Sequence, residues 1–280
     1  MARSLDELKG LARRIRKDII TSTTTAGSGH PTSSLSGVEV AVSLYFGGLM
    51  RHDPKNPKWP ERDRFILSKG HAAPLLYACL AEAGYFPVEQ LSTLRKLDSP
   101  LEGHPNYRRL AGVEASTGSL GQGLSLGIGH ALAGKLDKRD YHVFVMIGDG
   151  EAEEGQVWEA AMCAHQFKLD NLVAIFDQNG YQQTGATKDI MNMRPLAAKL
   201  EAFGWSVQEV EGNDMAKVMD ALKKAVAVKG SPSAIVSSTA KGYPINGLIG
   251  DNNHHGKPLT KAEAEKALAY IDTGGYDSKS

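Results

Sequence analysis

Two short apolar runs organise the middle of the chain. Residues 142–147 and 172–176 are almost wholly apolar and rich in Val, Ile and Phe. They are too short for helices and suit strands buried on both faces. Each closes on a polar, glycine-bearing turn: Gly148-Asp149-Gly150 after the first, and Asp177-Gln178-Asn179-Gly180 after the second. Between them Val157, Ala160, Ala161, Ala164 and Phe167 recur at helical spacing and predict one apolar helix face. Further strand candidates lie at 65–67, 206–210 and 234–237, with a helix over about 214–228 joining the last two. Apolar strands alternating with helices predict an α/β fold, a parallel β-sheet sandwiched by helices.

The first third reads mainly as helix. Ser4 and Glu7 form a capping-box pattern ahead of a basic helix running to about Thr25. Gly27, Gly29 and Pro31 then impose a turn, and a second helical stretch is expected over about 36–49. The prolines of 53–60 mark a loop, the 65–67 strand leads into a helix near His71, and another helix is expected over about 87–97. A glycine-rich loop at 118–123 opens an apolar helix of small residues. No linker of low complexity and no internal repeat interrupts the pattern, so residues 1–273 are expected to form one domain, followed by a frayed polar tail at 274–280.

Composition narrows the function classes. Thirty-two basic residues balance 32 acidic ones, which gives no electrostatic case for a nucleic-acid or membrane partner. The N-terminus lacks the apolar core of a signal peptide, and no apolar run approaches the roughly 20 residues that span a bilayer. Cys79 and Cys163 stand far apart in helix-like segments; a disulfide between them is one reading, and two reduced core thiols of a cytoplasmic protein are the preferred one. Glycine is in excess, 30 of 280 residues, and many of these glycines sit beside His, Asp or Asn, where they are placed to shape a site.

In a parallel α/β sheet, ligands bind at the carboxyl ends of the strands. Asp149 stands at one such end and Asn179 at the next, with a covering helix between, so their side chains are expected to meet. A carboxylate, an amide oxygen and a nearby backbone carbonyl form a hard-oxygen set that suits Mg2+ completed by phosphate oxygens and water, and also accepts Ca2+ or Mn2+. Gly-Asp-Gly and Asn-Gly are equally common turn formers, and that plainer reading stays open on the residues alone. Four of the nine histidines also stand beside glycine or proline in loop-like settings: His30, His71, His104 and His255. Neutral imidazoles both donate and accept hydrogen bonds, as a polyhydroxylated substrate requires. Zinc is the rival use, although the close ligand spacing of a zinc site is missing.

The stretch from Gly148-Asp149-Gly150 to Gln178-Asn179 resembles the thiamine diphosphate motif, with Gln178 in place of the usual Asn or Asp. The four histidine segments, in this order, resemble transketolase. So do 117–123, Glu154-Gly155, Glu159-Ala160 and Phe203-Gly204-Trp205. The similarity runs from about residue 10 to 260. It implies the thiamine diphosphate-binding fold of a diphosphate domain, with Asp149, Asn179 and the Tyr181 carbonyl on the metal. It further implies that His71, Gly118, Leu120, Gly148, Gly150, Glu154 and His255 lie at the cofactor. By the same resemblance His30, His104 and His255 face the substrate, while Glu154 and Glu159 link two sites across a dimer interface. His254 is the alternative to His255.

Transketolases transfer a two-carbon ketol unit between sugar phosphates, and they continue beyond this region with a pyrimidine-binding domain. The expectation is therefore an N-terminal subunit of a split transketolase. Its partner, a C-terminal subunit carrying the pyrimidine domain, would complete an α2β2 assembly. Three rivals remain. One is the α subunit of a 2-oxo acid dehydrogenase, whose flavour 155–159 and 179–181 share. Another is a deoxyxylulose-phosphate synthase-like activity. The third is a catalytically silent, cofactor-binding subunit.

Overall fold

Five strands form one parallel sheet in the computed structural model, which describes residues 3–274. They are β1 (Arg64–Leu67), β2 (Val143–Gly148), β3 (Leu172–Gln178), β4 (Ser206–Glu211) and β5 (Ser233–Ser238), in the order β1-β2-β3-β5-β4. Every pairing is parallel, so all five carboxyl ends lie along the same edge of the sheet. The helices are α1 (Leu5–Ala26), α2 (Pro31–Leu35), α3 (Val38–Phe46), α4 (Ala73–Glu82), α5 (Gln122–Leu136), α6 (Gly155–Gln166), α7 (Thr187–Ile190), α8 (Leu196–Ala202), α9 (Met215–Ala227) and α10 (Lys261–Thr273).

The strand period of two divides the apolar side chains between two cores. Phe65, Phe144, Met146, Val173, Ile175 and Ile235 face α1, α3, α4, α9 and α10. Val143, Val145, Ile147, Leu172, Ala174 and Phe176 face α5, α6 and α8. Strands covered on both sides have no solvent-facing row to fill with polar residues, which explains their continuous apolar runs.

Several elements differ from expectation for identifiable reasons. The helix expected over 36–49 is the shorter α3, and before it, where only a turn was expected, the short α2 opens on Pro31, whose fixed φ suits a first helical position. The helix expected over 87–97 is only a 3-10 turn, Val88–Thr93. Arg95 and Asp98 take left-handed φ values of 58° and 61°, which a helix cannot accommodate. Residues Gly70–Ala72 likewise form a 3-10 turn before α4. Phe167 caps α6 and is 54% exposed, so the buried face of that helix ends at Ala164. Helix α10 went unread, although Thr260 and Glu263 repeat the capping box of Ser4 and Glu7. Its buried residues are Ala264, Ala267 and Ile271, a face too weakly apolar to announce itself.

Cys79 is buried, Cys163 is half-buried, and both are free. Among the described residues no helix is long and apolar enough to cross a membrane. The tail reading falls, beyond Gly274, outside the described residues.

Helix α5 lies close on the sheet because its inner face carries glycine. A Cβ at Gly127 would stand 2.5 Å from Val145 Cγ2, whereas one at Gly129 would meet nothing within 4 Å. The two glycines therefore respond oppositely to alanine. Gly127→Ala overpacks the interface and is expected to cost about 1–3 kcal/mol. Gly129→Ala is expected to stabilise by up to ~1 kcal/mol through helix propensity. Urea unfolding midpoints of the two variants check the signs.

Candidate active site

The carboxyl ends of β1, β2 and β3 open into one cleft of about 510 Å³. Asp149, at the end of β2, is buried and accepts the Gly180 amide at 2.5 Å, joining the turns that follow β2 and β3. Asn179 Oδ1 accepts the Tyr181 amide at 3.1 Å, an Asx turn that holds this side chain just past the end of β3. The glycines of the first turn permit the approach of the two turns: a Cβ at Gly150 would lie 2.6 Å from Gln182 Cβ.

Beneath the cleft lies a buried ion pair. Lys69, just past β1, donates to Asp177 Oδ2 near the end of β3, and each side chain is only 1% exposed. Ser36 Oγ donates to the same carboxylate at 2.6 Å, Thr239 Oγ1 to its other oxygen, and Lys69 Nζ also reaches the Ser33 carbonyl at 2.8 Å. A second buried carboxylate, Glu151, accepts Ser68 Oγ at 2.5 Å and the amides of Gly121 and Gly148, both at 2.9 Å. Burial pushes Glu151 up, against the downward pull of those hydrogen bonds. Glu151 thereby ties the end of β1, the end of β2 and the start of α5 into one unit.

Three histidine rings converge above this floor. Their centroid separations are 5.0 Å for His30–His71, 5.4 Å for His30–His255 and 5.5 Å for His71–His255. Burial draws His30 down to about 4, assisted by Arg95, and draws His255 down to about 4, assisted by Lys241. Burial holds His71 well below its usual range, with Lys69 adding to the effect. His104 is lowered by burial and then by Arg95. All four imidazoles are therefore neutral at pH 7. His255 Nδ1 lies 2.8 Å from Lys241 Nζ, which can only donate here, so the proton of the neutral ring sits on Nε2. His104 packs on backbone: a Cβ at Gly118, where φ is +144°, would lie 2.9 Å from its ring.

Most of the residues singled out by motif line this cleft, namely His30, His71, His104, His255, Gly118, Leu120, Gly148, Asp149, Gly150, Glu154, Asn179 and Tyr181. Glu159 does not; it is exposed on α6. Of the two neighbouring histidines it is His255 that lines the cleft, while His254 turns to Asp251 at 2.5 Å. Sequence reading missed Lys69 and Glu151 as cleft residues, and Lys241 as the partner of His255. Lys69 and Lys241 each precede a glycine beyond a strand end, but buried lysines are recognisable only once their partners are known. Burial draws Lys241 down to about 8, with Lys69 adding and Asp251 opposing.

The donor set fits a hard cation. Asp149 is buried, among the described residues no basic side chain is bonded to it, and burial raises it to about 6 despite the Gly180 amide. A divalent ion beside it would supply the missing positive charge, with the Asn179 amide oxygen and the Tyr181 carbonyl as neutral ligands. Among the described residues no three His, Cys, Asp or Glu side chains are arranged to hold a metal, so the zinc alternative has no ligand set there.

Comparison with known proteins accords with this geometry. The family model described as "Transketolase, thiamine diphosphate binding domain" matches residues 8–277. The chain is 43% identical over 269 residues to the 6-deoxy-6-sulfo-D-fructose transketolase subunit of a Clostridium species, covering 96% of this chain and 98% of that one. It is 44% identical to one of the subunits of the apulose-4-phosphate transketolase of Actinobacillus succinogenes, covering 95% of this chain and 96% of that one. Among solved structures, the transketolase of Campylobacter jejuni superposes with a TM-score of 0.91 at 31% identity, over 96% of this chain and 43% of its own. The chain thus spans nearly the full length of relatives named as subunits, and less than half of a transketolase that carries its domains together. Sheet, cleft and sequence agree that this chain belongs to the transketolase family, as its thiamine diphosphate binding domain.

Proposed function

We propose that the chain, as one diphosphate-binding domain over residues 1–273, is the N-terminal subunit of a split cytoplasmic transketolase that moves a two-carbon ketol unit from a ketose phosphate to an aldose phosphate. The observation that carries this reading is the convergence of four neutral histidines on the same cleft as Asp149 and Asn179. Relatives of the same length bear the names of transketolase subunits, which supports a partner chain with the pyrimidine domain and an α2β2 assembly.

Thiamine diphosphate, once bound, supplies the nucleophilic carbon and electron sink that cut and form carbon–carbon bonds. The protein's own groups hold it and handle protons. Asp149, Asn179 and the Tyr181 carbonyl would bind Mg2+, and the metal with His71 would grip the diphosphate. Gly118, Leu120, Gly148 and Gly150 would let backbone approach the cofactor. His30 and His255 stand close enough together to serve adjacent oxygens of one sugar. As a neutral ring with its proton on Nε2, His255 can donate to a carbonyl oxygen that gains negative charge. His30 Nδ1 is buried without a hydrogen-bond partner among the described residues, so a hydroxyl proton taken at Nε2 would stay on the ring as an imidazolium until it is handed on from Nε2. His104 would hold the donor's terminal hydroxyl. Glu154, exposed at the cleft and capping α6, faces outward, where a neighbouring protein chain would meet it.

The reading is tested by mixing the chain with a pyrimidine-domain transketolase subunit, thiamine diphosphate and Mg2+, and following transfer to an aldose phosphate. Transfer should require both chains. His30→Ala and His255→Ala should each lower kcat by roughly 10²–10⁴. Turnover of a 2-oxo acid instead, or transfer indifferent to both histidines, would refute it.

The depressed histidines also set an acid dependence. In the unfolded chain they protonate near 6.5, but in the folded chain His30 and His255 protonate only near 4. Between these values the unfolded state binds more protons, so their contribution to stability is full above pH 6.5 and is lost as pH falls toward 4. Thermal unfolding of the His30→Gln/His255→Gln variant should fall less steeply over that window than that of the parent. Parallel curves would show that the two rings titrate normally.

A further inference from the structure

His30 and His104 come from loops far apart in sequence, and neither ring is fixed by a hydrogen bond from its own loop. The group that spans the two loops is Arg95. Its Nη1 donates to Ser28 Oγ at 2.8 Å, two residues before His30. Its Nη2 donates to the Gly103 carbonyl at 3.3 Å, immediately before His104. A Cβ at Gly103 would stand 3.1 Å from Arg95 Cζ, so the guanidinium lies close against a stretch of chain where a side chain would crowd it.

The backbone is bent to place it there. Arg95 adopts φ 58°, a left-handed conformation costly for a residue with a Cβ, and its amide is held by the Leu101 carbonyl at 2.8 Å. Strain of this kind persists where surrounding contacts over-determine it, and it concentrates near functional sites. Tyr77 reinforces the same loop: its hydroxyl lies 3.0 Å from the Glu102 carbonyl and 3.1 Å from that of His104.

We propose that Arg95 is a positioning residue which, through Ser28 and Gly103, fixes His30 and His104 relative to one another at the mouth of the cleft. The inference rests on the reading that these two histidines face the substrate. The planar fork is what the task needs, since it reaches two acceptors in different directions, and lysine does not reproduce it. The same guanidinium contributes its positive charge beside both rings. The other groups facing His30 are Lys241 and the neutral rings of His71, His104 and His255, with no carboxylate among these neighbours in the described residues.

The test uses Arg95→Met, Arg95→Lys and Ser28→Ala, with ring titrations of the full chain followed by NMR and turnover measured with the partner subunit. In Arg95→Met the midpoints of His30 and His104 should rise by roughly 0.5–1 pH unit, while His71 and His255, which lie beside Lys69 and Lys241, stay put. Arg95→Lys keeps the charge, so the midpoints should hold while kcat falls about 10-fold from lost geometry. Ser28→Ala, which removes one link and no charge, should lower kcat by about 3-fold. Equal movement of all four rings in Arg95→Met would mean general loosening and would overturn the proposal. So would unmoved His30 and His104 midpoints, or an Arg95→Lys variant with full turnover. The titrations need no catalysis, so a parent chain that fails to transfer ketol units would refute the functional reading without deciding this one.

Discussion

The cleft is organised around the buried ion pair between Lys69 and Asp177. Two charges that are 1% exposed must recover a desolvation cost of several kcal/mol each, and a lone contact does not recover it. The recovery comes from the hydroxyls of Ser36 and Thr239 on the carboxylate and from the Ser33 carbonyl on the ammonium. These partners arrive from four places in the chain: the end of β1, helix α2 with its flanking residue, the end of β3 and the segment after β5. The pair is satisfied only when all four are assembled. Removing any one leaves charge or hydrogen-bonding capacity buried and unmet. His71, Asn179 and His30 stand within a few residues of these partners, so the same segments help to place them.

This floor also governs the electrostatics of the cleft. Lys69 and Lys241 place basic groups beside imidazoles that burial keeps unprotonated, in a cleft that Asp149, Glu151, Glu153 and Glu154 also line. The basic groups favour an anionic, oxygen-rich ligand such as a diphosphate. They do so while leaving ring nitrogens free to donate and accept protons. Asp149 is buried with no basic side chain bonded to it among the described residues, and a divalent cation would reconcile it with a diphosphate.

Much of this was legible in the sequence, because the signals were local. The apolar runs at 142–147 and 172–176 located β2 and β3, and the turns closing them located Asp149 and Asn179. The histidine motifs were visible for the same reason, each being a few residues long and marked by glycine. What escaped were features decided by contacts distant in sequence. Lys69 and Asp177 are more than a hundred residues apart, and nothing near either marks it as buried. The stretch at 87–97 has helical composition, yet Arg95 and Asp98 are drawn into left-handed backbone by the loop they serve. Helix α10 packs with alanines, which carry little periodic contrast. His255 is preferred to His254 in the sequence only through the resemblance carried by Gly256 and Pro258; the physical difference is the turn that sends one ring to Asp251 and the other to Lys241.

The central claim is that this chain holds a metal-dependent diphosphate site that is completed by a second polypeptide. Calorimetric titration of the chain with thiamine diphosphate and Mg2+, alone and with a pyrimidine-domain partner chain, tests it most directly, with Asp149→Ala as the control. The expected result is weak binding by the lone chain, much tighter binding by the mixture, and loss of both in the control. Tight binding by the lone chain that the second polypeptide does not improve, or binding unaffected by Asp149→Ala, would contradict it.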